Sequence, residues 1–202
     1  MNAIEHAHRH AVVDRRVRVL TGHLAPLVPE SASVLDVGCG DGKLARALMD
    51  ARPGITVRGL DVLVRDDAAI PVESFDGAHL PVEDDAFDVV LFVDVLHHAD
   101  HAARMLAEAK RVARRFVLLK DHTRDGLLAG PTLRFMDRVG NARHGVALPY
   151  DYWSEREWRS AFLDAGLEIE TWRGRLGLYP FPASLLFDRG LHFVARLSVV
   201  PY

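Results

Sequence analysis

Val34-Leu35-Asp36-Val37-Gly38-Cys39-Gly40-Asp41-Gly42 decides how this chain folds. An apolar run ends in three closely spaced glycines. Helical spacing begins at once, with Leu44, Ala47, Leu48 and Ala51 on one face. The pattern predicts a strand, a tight turn and a helix N-terminus. Glycines at such a turn let the backbone approach a ligand that a Cβ would push away. Asp36 adds a carboxylate beside that ligand, which suits a cation or an amino group and disfavours a phosphate.

Working outward, the next apolar segment is Ile55–Leu60, and it ends in Asp61. This is about the separation at which a doubly wound nucleotide-binding fold sets an acid on a ribose. A carboxylate there accepts hydrogen bonds from ribose hydroxyls and repels a ribose phosphate. The glycine spacing Gly38-x-Gly40-x-Gly42 differs from the Gly-x-Gly-x-x-Gly turn of nicotinamide dinucleotide folds. An NAD-dependent oxidoreductase is a rival reading that this spacing, and the acid Asp36 before it, argue against.

Two further segments complete a set. Phe75-Asp76-Gly77-Ala78-His79-Leu80-Pro81 precedes Phe87-Asp88-Val89-Val90, a fourth strand. Taken in order and at these spacings, the segments resemble the class I S-adenosylmethionine-dependent methyltransferases, in particular the small single-domain type. The likeness is strong from about Ser33 to Asp121 and is one of architecture from Ser154 to Leu197. It implies an α/β Rossmann-like doubly wound sheet of about seven strands, mostly parallel, with an antiparallel last strand between the fifth and sixth. It also implies S-adenosylmethionine as cofactor, bound by Asp36, Gly38, Cys39, Gly40, Asp61, Val62, Asp76, Gly77, Val93 and Asp94. In the family the acid matching Asp76 takes the adenine amino group, with Gly77 N–H on a ring nitrogen. Backbone carbonyls near Val93 and Asp94 take the methionine amino group. Gly42 is expected to serve helix packing.

The remaining elements follow from periodicity. Val13, Val17, Leu20 and Leu24 mark an N-terminal helix over about residues 1–25, stopped by Pro26 and Pro29. Strands are expected at Ser33–Val37, Ile55–Leu60, Pro71–Phe75, Phe87–Val93, Phe116–Leu119, Leu167–Trp172 and Leu191–Ser198. Val62 to Ile70 is too short for a full crossover helix, so a loop or a single turn is expected where the family has a helix. Ala102, Met105, Leu106, Ala109, Val112 and Ala113 mark an amphipathic helix. His122–Tyr152 reads as an insertion with one helix around Leu133–Val139. Ser154-x-x-Glu157 is a capping box, opening a helix that Gly166 ends. Gly174–Arg189 is a long apolar linker.

Composition narrows the classes. At 202 residues the chain reads as one domain, residues 1–202, with 49% hydrophobic and 26% charged residues. Net charge is −3 with no basic run, which argues against a nucleic-acid partner. The cluster Arg111, Arg114 and Arg115 reads as a solvated helix end. A single cysteine, Cys39, excludes an intrachain disulfide. No secretory signal or membrane-length apolar run is visible, so the expectation is a cytoplasmic enzyme without stable membrane insertion and of undetermined oligomeric state.

Catalytic candidates cluster after the fourth and fifth strands, where ligands sit in this fold. They are His97, His98 and His122, each suited by its imidazole to general-base work if a hydroxyl is methylated. Asp94 or Asp121 is positioned to pair with one of them. His97, Asp100 and His101 could form a metal set, but consecutive histidines after this strand are common in the resembled family without a metal, so no metal is expected. His6, His8 and His10 read as solvent-facing. Tyr150, Tyr152 and Trp153 read as core aromatics or pocket lining, and Asn141 as a polar contact. The opening helix, the insertion and the linker would enclose a small, apolar or aromatic acceptor. The linker's apolar content also admits a membrane surface. A cofactor-binding module or partner subunit without catalysis is the other rival.

Overall fold

The computed structural model describes residues 3–99, 101–141 and 151–200. Its elements run α1 (Ala3–Leu24), β1 (Ser33–Val37), α2 (Lys43–Ala51), β2 (Thr56–Asp61), β3 (Val72–Ser74), β4 (Phe87–Val93), α3 (Ala102–Val112), β5 (Ala113–His122), α4 (Ala129–Asn141), α5 (Glu155–Asp164), β6 (Leu167–Arg173), α6 (Ser184–Phe187) and β7 (His192–Val199). The strands form one sheet in the order β3-β2-β1-β4-β5-β7-β6. Pairings from β3 through β5 are parallel, and β7 runs antiparallel to both β5 and β6. The expected doubly wound sheet with its reversed last strand is what forms.

Strand alternation divides the core between two faces. Leu35, Val90 and Phe92 join Met105, Leu106, Trp158 and Phe162 beneath α3 and α5. Their neighbours Val34, Val89 and Leu91 join Leu20, Leu24 and Leu48 beneath α1 and α2. Covering on both faces explains why the centre of β4, Val89–Phe92, is an unbroken apolar run, fully buried. A third, smaller cluster of Ala129, Leu133, Tyr152 and Leu191 seats α4.

Three expectations need correction. The fifth strand does not stop at Leu119. Lys120, Asp121 and His122 continue it, pairing with Val194, Phe193 and His192 of β7. Apolar pattern ends a strand at the first charge, whereas here the charged residues are buried against one another. The apolar linker contains the short helix α6, and only part of it joins the core: Leu176 and Leu178 are buried, while Phe181, Leu185 and Leu186 are exposed. Arg111 is no solvated helix end. Its guanidinium donates to the Leu80 and Val82 carbonyls at 3.0 and 2.8 Å and to Glu108 and Asp84, pinning the loop before β4.

No helix lies between β2 and β3, as the short spacing requires; residues 62–70 are turns and bends. The capping box also forms, with Ser154 Oγ accepting from Glu157 N and the Glu157 carboxylate accepting from Ser154 N. His6, His8 and His10 belong to a part of α1 whose side chains are outside the described residues, as are the side chain of Asn141 and all of Tyr150 and Asp100.

Candidate active site

The glycine turn brings β1, β2 and α2 together. Gly38 and Cys39 N–H groups both donate to the Leu60 carbonyl, at 2.7 and 3.2 Å. All three glycines have positive φ, between +59° and +72°. Their surroundings differ. A Cβ on Gly38 would come within 2.5 Å of the Val95 side chain, and one on Gly42 within 2.7 Å of Ile70. Both glycines are closed in by protein, and Gly42 serves packing as expected. A Cβ on Gly40 would meet only Arg65, at 3.9 Å. Gly40 is the position of the turn that faces open space, a cradle a side chain would fill.

Two carboxylates border this cradle. Asp61 Oδ2 accepts from Gly40 N–H at 2.7 Å, and its Oδ1 accepts from Leu63 N–H at 2.9 Å. Each oxygen keeps a lone pair for a ligand hydroxyl. Asp36 is buried in β1, where desolvation and then the Asp61 charge push its pKa up to about 7. A buried carboxylate facing a second carboxylate is an electrostatic demand for a cation. Cys39 sits under the turn against Gly59, and burial pushes its thiol up to about 12, so it stays a neutral packing group.

Val62, beside Asp61, is exposed, and its side chain lies near Gly77, where a Cβ would meet it at 3.2 Å. Asp76 is exposed, with Oδ1 accepting from both Ala78 and His79 N–H at 2.8 Å. That bracket leaves Oδ2 toward solvent. A hydrophobic edge and a carboxylate thus meet at one end of the cleft, suiting a flat base with an exocyclic amine.

At the other end, the carboxyl ends of β4 and β5 hold a buried ionic cluster. Asp94 closes β4 with φ +57°, a left-handed conformation rare outside glycine. Its carboxylate accepts from Arg16 of α1 on one oxygen and from Lys120 Nζ of β5 on the other. Val93 is half-buried and leads into this turn. Lys120 is wholly buried, and His192 Nδ1 lies 3.3 Å from its amine. Burial and then Arg16 push the Lys120 pKa well down, against the direct contact with Asp94.

The anticipated carboxylate–imidazole pair forms between Asp121 and His97, with Nδ1 to Oδ1 at 2.6 Å. Asp121 Oδ2 also accepts from Leu96 N–H. Across the ring, His97 Nε2 lies 3.6 Å from Asp137 of α4, whose carboxylate in turn accepts from the Tyr152 hydroxyl. Burial opposes charge on His97, but Asp121 and then Asp137 prevail and lift its pKa to about 9. His97 therefore keeps its proton at neutral pH and is unsuited to the base role. His98 is held near 4 by burial and by His97, and His122 near 3 by burial and by Lys120. Both are neutral rings. Ring centroids of His97 lie 3.9 Å from His98 and 4.6 Å from His122, so the three histidines picked from sequence do converge. His97 Nε2, His98 Nδ1 and His122 Nδ1 are all buried and make no close hydrogen bond among the described residues, although His122 Nδ1 lies 3.4 Å from Asp121 and 3.5 Å from Asp94.

Sequence reading missed Arg16, Asp137 and His192, and it set Lys120 at the cleft end of the fifth strand without a role. Arg16 and Asp137 lie on helices where a charge reads as surface. Lys120 and His192 had a signal: both flank apolar strand runs without a turn residue between. Metal ligation has two geometric possibilities among the described residues. Asp94, His97, Asp121 and His122 bring ligand atoms within 4.8 Å of one another, as do His97, His98 and Asp137. Arg16 and Lys120 already occupy Asp94, and their charges oppose a further cation there. His101 is exposed at the head of α3, away from buried His97.

A family profile describing a methyltransferase domain matches residues 6–171. The chain belongs to the methyltransferase-domain family. Its fold is that of solved S-adenosylmethionine-dependent methyltransferases. The cleft suits S-adenosylmethionine: Gly40 leaves room, Asp61 has free lone pairs for ribose, and Asp36 seeks a cation. Among curated relatives, ribosomal RNA-processing protein 8 of Caenorhabditis briggsae is 36% identical over 92 residues, 46% of this chain and 26% of that protein. Malonyl-[acyl-carrier protein] O-methyltransferase of Geobacter sulfurreducens is 34% identical over 115 residues, 51% of this chain and 43% of that protein. The chain thus spans between about a quarter and under half of the length of these relatives. In structure, a SAM-dependent methyltransferase from Thermotoga maritima superposes with TM-score 0.69 at 19% identity, covering 97% of this chain and 95% of that one. At that identity the likeness is one of fold.

Proposed function

We propose that this methyltransferase-domain protein transfers the methyl group of S-adenosylmethionine to an oxygen of a small, apolar or aromatic acceptor. The observation that carries the proposal is the convergence of three buried imidazoles, His97, His98 and His122, whose inward nitrogens make no close hydrogen bond among the described residues, with carboxylates of Asp137, Asp121 and Asp94 at 3.4–3.6 Å from the first and last. Buried polar atoms without partners are rare and mark a missing hydrogen-bonding group. A hydroxyl set among them both donates and accepts, which the donor His97 and the neutral rings of His98 and His122 call for.

When bound, S-adenosylmethionine supplies an electrophilic methyl on a sulfonium. The chain's residues orient the acceptor and manage its proton. His97, held charged by Asp121, donates from Nε2 to the acceptor oxygen and favours the negative charge that develops on it. The hydroxyl proton passes to the Asp137 carboxylate or to His98 Nδ1, both within the same cluster. Tyr152 and Asp121 hold the groups in place, so positioning supplies much of the rate gain. A curated relative, the phthiotriol/phenolphthiotriol dimycocerosates methyltransferase of Mycobacterium ulcerans, is 38% identical over 90 residues, 33% of its length, and its name denotes an apolar acceptor. The apolar walls offered by α4, the linker and Tyr152 favour that class over the RNA implied by the name of the Caenorhabditis relative.

Calorimetry with S-adenosylmethionine and S-adenosylhomocysteine, followed by turnover on a panel of phenols and lipid alcohols, tests the reading. The expected result is micromolar cofactor binding. A methyl ether should form at a rate at least 100-fold lower in Asp137→Asn and His97→Gln, with cofactor affinity unchanged. Cofactor binding without turnover on any hydroxyl acceptor would favour a binding module. Turnover unaffected by both substitutions would remove the cluster from the reaction.

A further inference from the structure

We infer that the face built by α4, the 126–128 turn and α6 docks on an anionic lipid bilayer, from which the acceptor is drawn. The inference rests on the apolar-acceptor reading above. Leu127, Leu128, Phe135, Val139, Phe181, Leu185 and Leu186 are 83%, 62%, 58%, 65%, 80%, 62% and 58% exposed. Large apolar side chains scattered singly on a surface are ordinary, whereas a contiguous group is not. The segments that carry them are tied together. Phe135 stacks on Phe187 of α6 with centroids 6.4 Å apart. Arg189 ties the pieces into one surface, donating to the carbonyls of Leu186 and Leu127 at 3.0 and 3.1 Å and to Thr132 Oγ1 at 3.2 Å.

Charge selects the occupant. Over residues 124–139 and 173–189 the exposed charged residues are Arg134, Arg138, Arg173, Arg175, Arg189, Arg124 in an ion pair with the neighbouring Glu157, and a single acid, Asp125. The whole chain carries −3. An acidic protein that carries several arginines on the segments bearing an exposed apolar patch has the surface of an interfacial binder, with side chains for the acyl boundary and cations for the headgroups. A nucleic acid would want stacking aromatics in a basic groove, and leucines dominate here. The patch is also continuous with the site, since α4 carries Asp137 into the histidine cluster and His192 Nε2 bonds the carbonyl of Phe187 in α6 at 2.9 Å. A docked molecule would present the cluster toward the lipid phase.

The full chain is floated with vesicles of phosphatidylcholine alone and with 30 mol% phosphatidylglycerol, in parallel with cofactor calorimetry. Expected is recovery with the anionic vesicles, at least tenfold weaker partition for Leu127→Ser/Leu186→Ser and for Arg134→Glu/Arg138→Glu, and loss at high salt. Cofactor affinity and melting temperature should stay unchanged in both variants, showing that they are folded. No partition of the wild-type chain while the cofactor still binds would overturn the docking and leave the methyltransferase reading intact. Self-association that the same serines abolish, or binding of a polyanionic RNA in preference to vesicles, would assign the face to a second copy or to nucleic acid instead.

Discussion

Asp36 shows how one residue's surroundings become a binding property. Its buried carboxyl, raised to about 7, is largely protonated in mildly acidic solution when the cleft holds no cation. A cationic ligand must displace that proton. S-adenosylmethionine affinity should therefore rise from pH 6 to pH 8, with proton release below pH 7 seen as a buffer-dependent binding enthalpy. Asp36→Asn should abolish the dependence and weaken binding at pH 8 at least tenfold. The same shift fixes a sign for stability. A carboxyl whose folded pKa lies above its unfolded value of about 3.8 stabilises the fold at low pH, and that contribution is lost as pH rises through about 7. Asp36→Asn should thus melt higher than the parent at pH 8 while binding less. Asp36 was legible from sequence because an acid at the end of an apolar strand and beside a glycine turn is conspicuous. The direction of its pKa shift was not, since that follows first from its burial in the finished sheet and then from Asp61 folding toward it.

At the scale of elements, the strand–turn–helix around Gly38–Gly42 separates packing from binding. Gly38→Ala drives a methyl into Val95 and strains a left-handed residue. Gly40→Ala adds only the strain, about 1–2 kcal/mol. We expect Gly38→Ala to unfold at markedly lower temperature than Gly40→Ala. Gly40→Ala should stay folded and lose cofactor affinity. Thermal unfolding and calorimetry on the two variants read these outcomes separately, and equal melting temperatures would contradict the assignment of Gly38 to packing. Most elements were legible because their apolar spacing is strong: β4 and the capped helix α5 fall where periodicity and capping put them. β5 outran its apolar run because buried charges satisfied one another across the sheet, and the lack of a turn residue after Leu119 was the one local sign of it. Helix α6 is a single turn whose apolar side chains face solvent, so it lacks the one-sided burial that spacing detects.

The whole molecule hangs on the same ionic cluster. Arg16 brings α1 to β4, Lys120 and Asp121 come from β5, and Asp137 from α4, so charges far apart in sequence meet only in the finished fold. That is why the histidines could be named in advance and their partners, in large part, could not. The pair His97–Asp121 makes stability depend on pH. His97's folded pKa of about 9 exceeds its unfolded value of about 6.5, so its contribution is complete below 6.5 and disappears as pH climbs through 9. Chemical denaturation between pH 6 and pH 9.5 should show this decline, and His97→Gln should flatten it. A profile equally steep in the variant would assign the effect elsewhere.

The missing helix between β2 and β3 has a last consequence. Where relatives of this fold spend protein, this chain leaves Val62, Leu63 and Val64 bare beside the cleft. Part of the wall is then furnished by the small molecule itself, and the folded population responds to how much of it the surroundings hold. Ligand at a hundred times its dissociation constant adds about 2.7 kcal/mol to the folded state. Limited proteolysis with and without S-adenosylmethionine is the check: bound ligand should slow cleavage within residues 62–64, and equal cleavage rates would contradict a ligand at this rim.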